Sequence, residues 1–323
     1  LFLGPAGGLT SGALVGFVFL TYRFLEPIAE FTEVIDQTQN AVSGLRRVLS
    51  VLDTPVGPPA PSLPIPLPQG VLSIDLDRVS FAYTARDSSE DDGLVLNDIS
   101  LHIPGGQHVA LVGPSGSGKT TVARLIARLF DPTLGFVSVG GVSLMQVDND
   151  ELRRRMVVVP QEPFLFAQTI RENLLFACPE ATDSELLASF RDLDLHDWLI
   201  SMPSGLDTHV GQRGGSLSAG ERQLIALVRA SIVKPDVLIL DEATSAVDAA
   251  TEVRISRALQ RLAEGRTTVS IAHRLSTAAR AQRVVLMRDG RVVEDGSHQD
   301  LLVRGGDYAK LYATWVSATE GQK

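Results

Sequence analysis

Hydrophobic and polar positions follow different rhythms in successive parts of this chain, and each rhythm predicts a different element. No charged residue occurs from Leu1 to Tyr22. The cluster Gly4, Pro5, Gly7, Gly8 and Gly12 interrupts that apolar stretch, so a turn is predicted there and not a helix interior. A helix is predicted to start near Ser11, to continue past Pro27 through Phe31, Val34 and Ile35, and to end at about Leu52. At 1.5 Å per residue it is roughly 60 Å long, enough to cross a bilayer and project beyond it. Arg23 and Glu26 fall within it and read either as an i, i+3 pair or as charges facing a polar path.

From Asp53 to Gly70 the residues Pro55, Pro58, Pro59, Pro61, Pro64, Pro66 and Pro68 impose an extended linker that marks a domain boundary. Beyond it, Leu72-Ser73-Ile74-Asp75-Leu76 and Ile99-Ser100-Leu101-His102-Ile103 alternate apolar with polar residues, as half-buried antiparallel strands do. The stretch 86–93 between them is polar and turn-rich and is expected as a surface loop. By contrast, Val109-Ala110-Leu111-Val112 and Val237-Leu238-Ile239-Leu240 are continuously apolar, the pattern of strands buried on both faces. From Arg171 to about Arg222 the period becomes helical, with Leu186, Leu187, Phe190, Leu193 and Leu195 spaced for buried faces.

Composition changes this picture in three ways. A chain of 323 residues suits about two domains, and 44% hydrophobic residues with a mean hydropathy of +0.13 place part of it in a membrane. The net charge of −9 comes without clustered Lys and Arg, which excludes the phosphate-backbone binding that a nucleic-acid partner requires. Cys178 is the single cysteine, so no intrachain disulfide forms, no zinc spacing exists, and packing is its expected role. A signal peptide is not expected at the start: there is no initiator Met, basic leader or small-residue cleavage site.

The candidate chemistry starts at Gly113-Pro114-Ser115-Gly116-Ser117-Gly118-Lys119-Thr120-Thr121, a complete phosphate-binding loop between a strand-like run and the helix-like Val122–Ile126. Gly113, Gly116 and Gly118 free the backbone to turn its N–H groups inward on phosphate. Lys119 reaches the β and γ phosphates, Thr120 offers its hydroxyl to Mg²⁺, and the following helix presents its positive end. The strand run 237–240 ends in Asp241 and Glu242, which suits a metal-binding carboxylate beside a base for water.

Leu217-Ser218-Ala219-Gly220-Glu221 resembles the signature motif of ATP-binding cassette (ABC) proteins, usually Leu-Ser-Gly-Gly-Gln. In family order, Phe81-Ala82-Tyr83 resembles the adenine-stacking aromatic loop and Val159-Pro160-Gln161-Glu162 the Q-loop. Ser245-Ala246-Val247-Asp248 resembles the D-loop, Ser270-Ile271-Ala272-His273-Arg274 the H-loop, and Val210-Gly211-Gln212-Arg213-Gly214 the loop of exporter-type members. The resemblance covers nearly the whole chain. It implies two nucleotide-binding domains closing head to tail, so that ATP on residues 113–121 of one meets Ser218 and Gly220 of the other. It further implies that Tyr83 stacks adenine, that Gln161 senses metal and attacking water, and that Asp248 adds a nucleotide contact. His273 would hold the γ-phosphate and position Glu242, with Lys119 counted among the catalytic groups. Three departures stand out: Ala219 for glycine, Glu221 for glutamine and Gln212 for glutamate.

The expected fold is therefore α/β: a P-loop NTPase nucleotide-binding domain of ABC type with an antiparallel β subdomain and a helical subdomain, preceded by a long transmembrane helix. The expected divisions are 1–52 for the end of the transmembrane domain, 53–70 for the linker, 71–318 for the nucleotide-binding domain and 319–323 for a tail. Residues 8–12 resemble the short loop before the last transmembrane helix, with Leu1 to Leu3 the end of the preceding one, so a fragment is expected. The resemblance implies an ATP- and Mg²⁺-dependent export ATPase in the cell membrane, its nucleotide-binding domain cytoplasmic and its partner a second half-transporter. Alternatives are a regulatory half with low turnover, and a soluble ABC ATPase, which the membrane helix opposes.

Overall fold

The structure is a computed structural model that describes residues 10–53, 57–83, 93–241, 248–272 and 275–320. The chain divides into two compact units, Leu1–Val56 and Gly57–Lys323. The first holds α1, Ser11–Leu52, a single helix of 42 residues. Thr10 starts it as N-cap, its hydroxyl accepting the Ala13 N–H at 3.2 Å. The helix carries Pro27 without ending, and Thr21, Thr32 and Thr38 turn their hydroxyls back onto the carbonyls of Phe17, Ile28 and Val34, which hides polar groups on an apolar rod. None of its residues is buried, and it alone among the described helices is long and apolar enough to cross a membrane. Arg23 and Glu26 form the i, i+3 ion pair, at 3.2 Å.

In the second unit β1 (Ile74–Phe81) and β2 (Leu96–Ile103) pair antiparallel, with Ile74 opposite Ile103 and Leu76 opposite Leu101, so the alternating apolar residues share one face. β3 (His108–Val112) leads into α2 (Lys119–Ile126), followed by β4 (Leu134–Val139) and β5 (Val142–Ser143). The chain then forms α3 (Asn149–Arg155) and β6 (Met156–Val159). The helical part comprises α4 (Ile170–Leu175), α5 (Asp183–Asp192), α6 (His196–Ser201) and α7 (Ala219–Val233). β7 (Val237–Asp241), α8 (Ala249–Ala263), β8 (Thr267–Ile271) and α9 (Leu275–Arg280) alternate next, then β9 (Arg283–Arg288), β10 (Arg291–Gly296), α10 (His298–Arg304) and α11 (Asp307–Glu320). The described strands make a four-stranded antiparallel sheet, β2-β1-β4-β5, and a six-stranded sheet, β10-β9-β3-β8-β7-β6, parallel except at β10.

One core lies between the two sheets around α2, with Ile74, Leu101, Ile126 and Ile239 in it. A second core belongs to the helical part, where Leu186, Phe190, Leu193 and Leu195 are buried as their spacing predicts. The second half of the proline-rich segment lies along this unit. Leu67 is buried and its N–H meets the Glu151 carboxylate at 3.0 Å, and the Ile65 N–H meets the Gln146 carbonyl at 2.7 Å. Arg128, just past α2, is 1% exposed and donates to the carbonyls of Val147 (3.0 Å) and Pro59 (2.9 Å) and to Asn149 Oδ1 (3.1 Å). Proline offers only its carbonyl to such a clamp, and a guanidinium supplies the donors. Arg128→Ala empties a buried site and leaves the buried Val147 carbonyl unpaired, and is expected to destabilise the unit by about 2–3 kcal/mol. Urea unfolding followed by the fluorescence of Trp198 and Trp315 measures it, and an unchanged midpoint would refute the clamp.

Candidate nucleotide site

β3, β8, β7 and β6 are parallel neighbours, so their C-terminal ends share the edge at which open α/β sheets bind ligands. Asp241 pairs with Ile271 and Ile271 pairs with Leu111, which aligns the carboxylate with the entry to the phosphate loop. At ~4.8 Å per strand step the Asp241 and Leu111 backbones are about 10 Å apart.

The loop opens with Gly113 at φ 147, where a Cβ would lie 2.1 Å from the Met287 carbonyl oxygen, so only glycine fits. Pro114, Ser115 and Gly116 are exposed, Ser117 and Gly118 buried. Gly118 is the N-cap of α2 at φ 97 and supplies no side-chain cap, so this residue leaves the N–H donors of the first turn free for a ligand. Lys119 is buried, and its ammonium donates to the carbonyls of Gly113 (2.8 Å) and Pro114 (2.9 Å) and to Ser117 Oγ (3.3 Å). Burial pushes its pKa down, and the negative field of Asp241 partly opposes that. A buried cation held by neutral oxygens beside uncapped N–H groups fits a phosphate chain, which supplies the counter-charge that carbonyls do not. Thr120 and Asp241 are half-buried and offer hard oxygen donors, which fit Mg²⁺.

Tyr83 packs against the loop's helix. Its hydroxyl lies 3.1 Å from Thr121 Oγ1 and accepts from Arg124 Nη1 at 3.2 Å. Its ring meets Phe81 and Phe130 edge-on, with centroids 4.8 and 5.4 Å apart.

Ser218 is the N-cap of α7 and forms a reciprocal box with Glu221: the Glu221 N–H donates to Ser218 Oγ at 3.2 Å, and Glu221 Oε2 accepts the Ser218 N–H at 2.8 Å. Gly220 is buried in the first turn of the same helix. Gln161 is exposed beyond β6 and lines a cleft of about 460 Å³ together with Gln212, Arg213, Ala219 and Arg222. The Q-loop, the exporter-type loop and the signature thus share one cleft, and no residue of 113–121 lines it. Asp248 caps α8, its carboxylate accepting the Thr251 N–H at 3.0 Å, and that bond holds its pKa below the usual range. Glu242, residues 245–247, His273 and Arg274 lie outside the described residues, as do residues 1–9 with most of the expected turn, most of the loop 86–93, and 321–323 of the tail expected at 319–323, whose first two residues belong to α11.

Sequence reading missed Arg124 on Tyr83, and Arg222, which donates to the Leu217 carbonyl at 2.8 Å and braces the signature. No motif flags either. The Ser218–Glu221 box was visible as Ser-x-x-Glu.

The loop, the acid-ended strand two places along the same sheet and the helical part define a P-loop nucleotide-binding domain. The ABC transporter family model matches residues 96–245, and the chain belongs to that family. It is 40% identical over 310 residues to a multidrug efflux ATP-binding/permease protein of Mycobacterium bovis, covering 95% of this chain and 25% of that protein. It is 38% identical over 306 residues to an ATP-dependent lipid A-core flippase of Syntrophus aciditrophicus, covering 95% of this chain and 50% of that one. The structure of a bacterial Atm1-family ABC exporter with ATP bound aligns with a TM-score of 0.75 at 35% identity, over 95% of this chain and 52% of that chain. The fold is that of the ABC exporters. The chain spans between a quarter and about half the length of these relatives.

Proposed function

We propose that this chain is the ATP-hydrolysing end of a membrane ABC half-transporter that works as a pair with a second half and drives export. The observation that carries the reading is the alignment of Asp241, across Ile271, with the strand that enters the uncapped phosphate loop. Residues 113–121 grip the phosphates, with Lys119 and the α2 N-terminus opposing their charge. Thr120 and Asp241, with Gln161, would hold Mg²⁺, which when bound neutralises charge on the phosphate oxygens. Glu242 takes the proton of the attacking water, and His273 orients Glu242 toward it. Ser218 and Gly220 face the nucleotide of the other half, which accounts for a signature whose cleft holds none of the phosphate loop.

α1 anchors the unit in the cell membrane among lipid, with the nucleotide-binding domain on the cytoplasmic side. Steady-state ATP hydrolysis by the chain assembled in a full transporter tests this. Mg²⁺-dependent turnover that is lost in Lys119→Ala is expected. Nucleotide binding with turnover at the uncatalysed level would overturn the hydrolytic role.

Tyr83 is the base platform of this site. Stacking uses a π face common to all bases, so Tyr83→Ala is expected to weaken ATP and GTP alike, by roughly 1–3 kcal/mol. Titration with both nucleotides measures it, and unchanged affinities would leave Tyr83 only its packing against Phe81 and Phe130.

A further inference from the structure

We infer that Arg124 is a positioning residue for nucleotide recognition, holding the Tyr83 ring in place through the tyrosine hydroxyl. The inference rests on Tyr83 being the base platform. Arg124 is exposed, on the helix that follows the phosphate loop, and lies within a turn of Thr121 on one helix face. A guanidinium only donates, so the Tyr83 oxygen accepts from Arg124 (3.2 Å) and its proton is left for Thr121 Oγ1 (3.1 Å). The hydroxyl is therefore pinned from two sides by the helix whose first turn receives phosphate.

The other contacts on the ring are with Phe81 and Phe130, both edge-to-face in geometry, and they leave the ring half-buried. Phe81 is buried at the end of β1, where its N–H and C=O groups belong to the sheet, while Tyr83 lies past the strand. The two hydroxyl contacts therefore add to this packing in fixing where the ring stands. Without them, each nucleotide that binds must also order a ring that swings, and affinity falls. Arg124 acts on the base alone under this inference, through the Nη1 donor that meets the tyrosine oxygen.

The test compares ligands that share phosphates and differ in the base. Dissociation constants for Mg²⁺–ATP and for Mg²⁺–tripolyphosphate are measured on the full chain in detergent for the parent, Arg124→Ala, Arg124→Lys, Tyr83→Phe, Tyr83→Ala and the Arg124→Ala/Tyr83→Phe double variant. Loss of a net hydrogen bond predicts that Arg124→Ala and Tyr83→Phe each weaken ATP by about three- to tenfold, with tripolyphosphate unchanged. The double variant should be no weaker than either single one, because both remove the same tether. Arg124→Lys, which keeps a donor, should recover part of the loss. In the assembled ATPase, KM should rise in Arg124→Ala with kcat unchanged.

Equal weakening of ATP and tripolyphosphate would overturn the inference in favour of a simple charge effect on phosphate. Loss of ATP affinity in Tyr83→Ala with none in Arg124→Ala would overturn it while leaving the base platform intact. Unchanged ATP affinity in Tyr83→Ala would remove the platform and the inference together.

Discussion

Glu242→Gln is expected to keep ATP binding nearly intact and to lower turnover by about 10²–10⁴-fold, the usual cost of losing a general base. The amide keeps a hydrogen bond to water and cannot take its proton, so binding and chemistry separate. Lys119 and the α2 N-terminus, the proposed phosphate contacts, are untouched by the change. In sequence Glu242 follows directly on Asp241, the last residue of β7. Nucleotide titration together with steady-state hydrolysis in the assembled transporter decides the matter. Turnover within about threefold of the parent would remove Glu242 from the role of base.

Ser218→Arg is expected to lower hydrolysis by about 10²–10³-fold, comparable to the loss of one preorganised donor to transition-state charge. Two effects combine in it. The substitution puts bulk where the facing phosphate is proposed to arrive, and it removes the hydroxyl that caps α7. Glu221→Gln, three residues on, is expected to change hydrolysis by less than about tenfold. A carboxylate about 4 Å from a γ-phosphate would cost about 4 kcal/mol at an effective dielectric near 20, against under about 0.5 kcal/mol at about 10 Å in water. The Glu221 carboxylate is turned back onto the Ser218 N–H at 2.8 Å, at the positive end of its own helix, which favours the milder figure. Glutamine keeps that acceptor, so the box survives the change, whereas Glu221→Ala breaks it and is expected to cost about 0.5–2 kcal/mol of stability. The same ATPase assay measures these variants. A rise of more than about a hundredfold in Glu221→Gln would show a natively impaired signature and a regulatory half.

The phosphate loop, the buried strand ending in Asp241, the alternating pair of antiparallel strands and the bounds of α1 are all legible in the order of residues along the chain. Each is a statement about residues close in sequence. Gly113 carries a backbone angle that other residues cannot adopt, and Thr10 with Ser11 marks a helix start by the chemistry of the cap. The approximate limits of the helical part are equally plain, because burial of one face imposes a period. The proline-rich segment is legible as extended chain, and its lack of helix follows from proline alone.

Where that segment lies was decided elsewhere. Its attachment to the second unit depends on Arg128, which reaches Pro59 across 69 residues of sequence, and on Glu151, which meets Leu67 across 84. Neither contact has a local pattern, because a proline run records only its own stiffness. The meeting of Arg124 with Tyr83, 41 residues apart, is likewise a product of β1 and α2 sharing one core. The cleft that gathers Gln161, Gln212 and Ala219 forms only when three separate segments are brought together. The sequence by itself determined which backbone conformations and which chemical groups are available, since residue type and spacing act within a turn or a strand. Tertiary structure alone decided which of those groups meet, because hydrogen bonds between distant side chains become possible only once the buried apolar faces have closed the chain on itself.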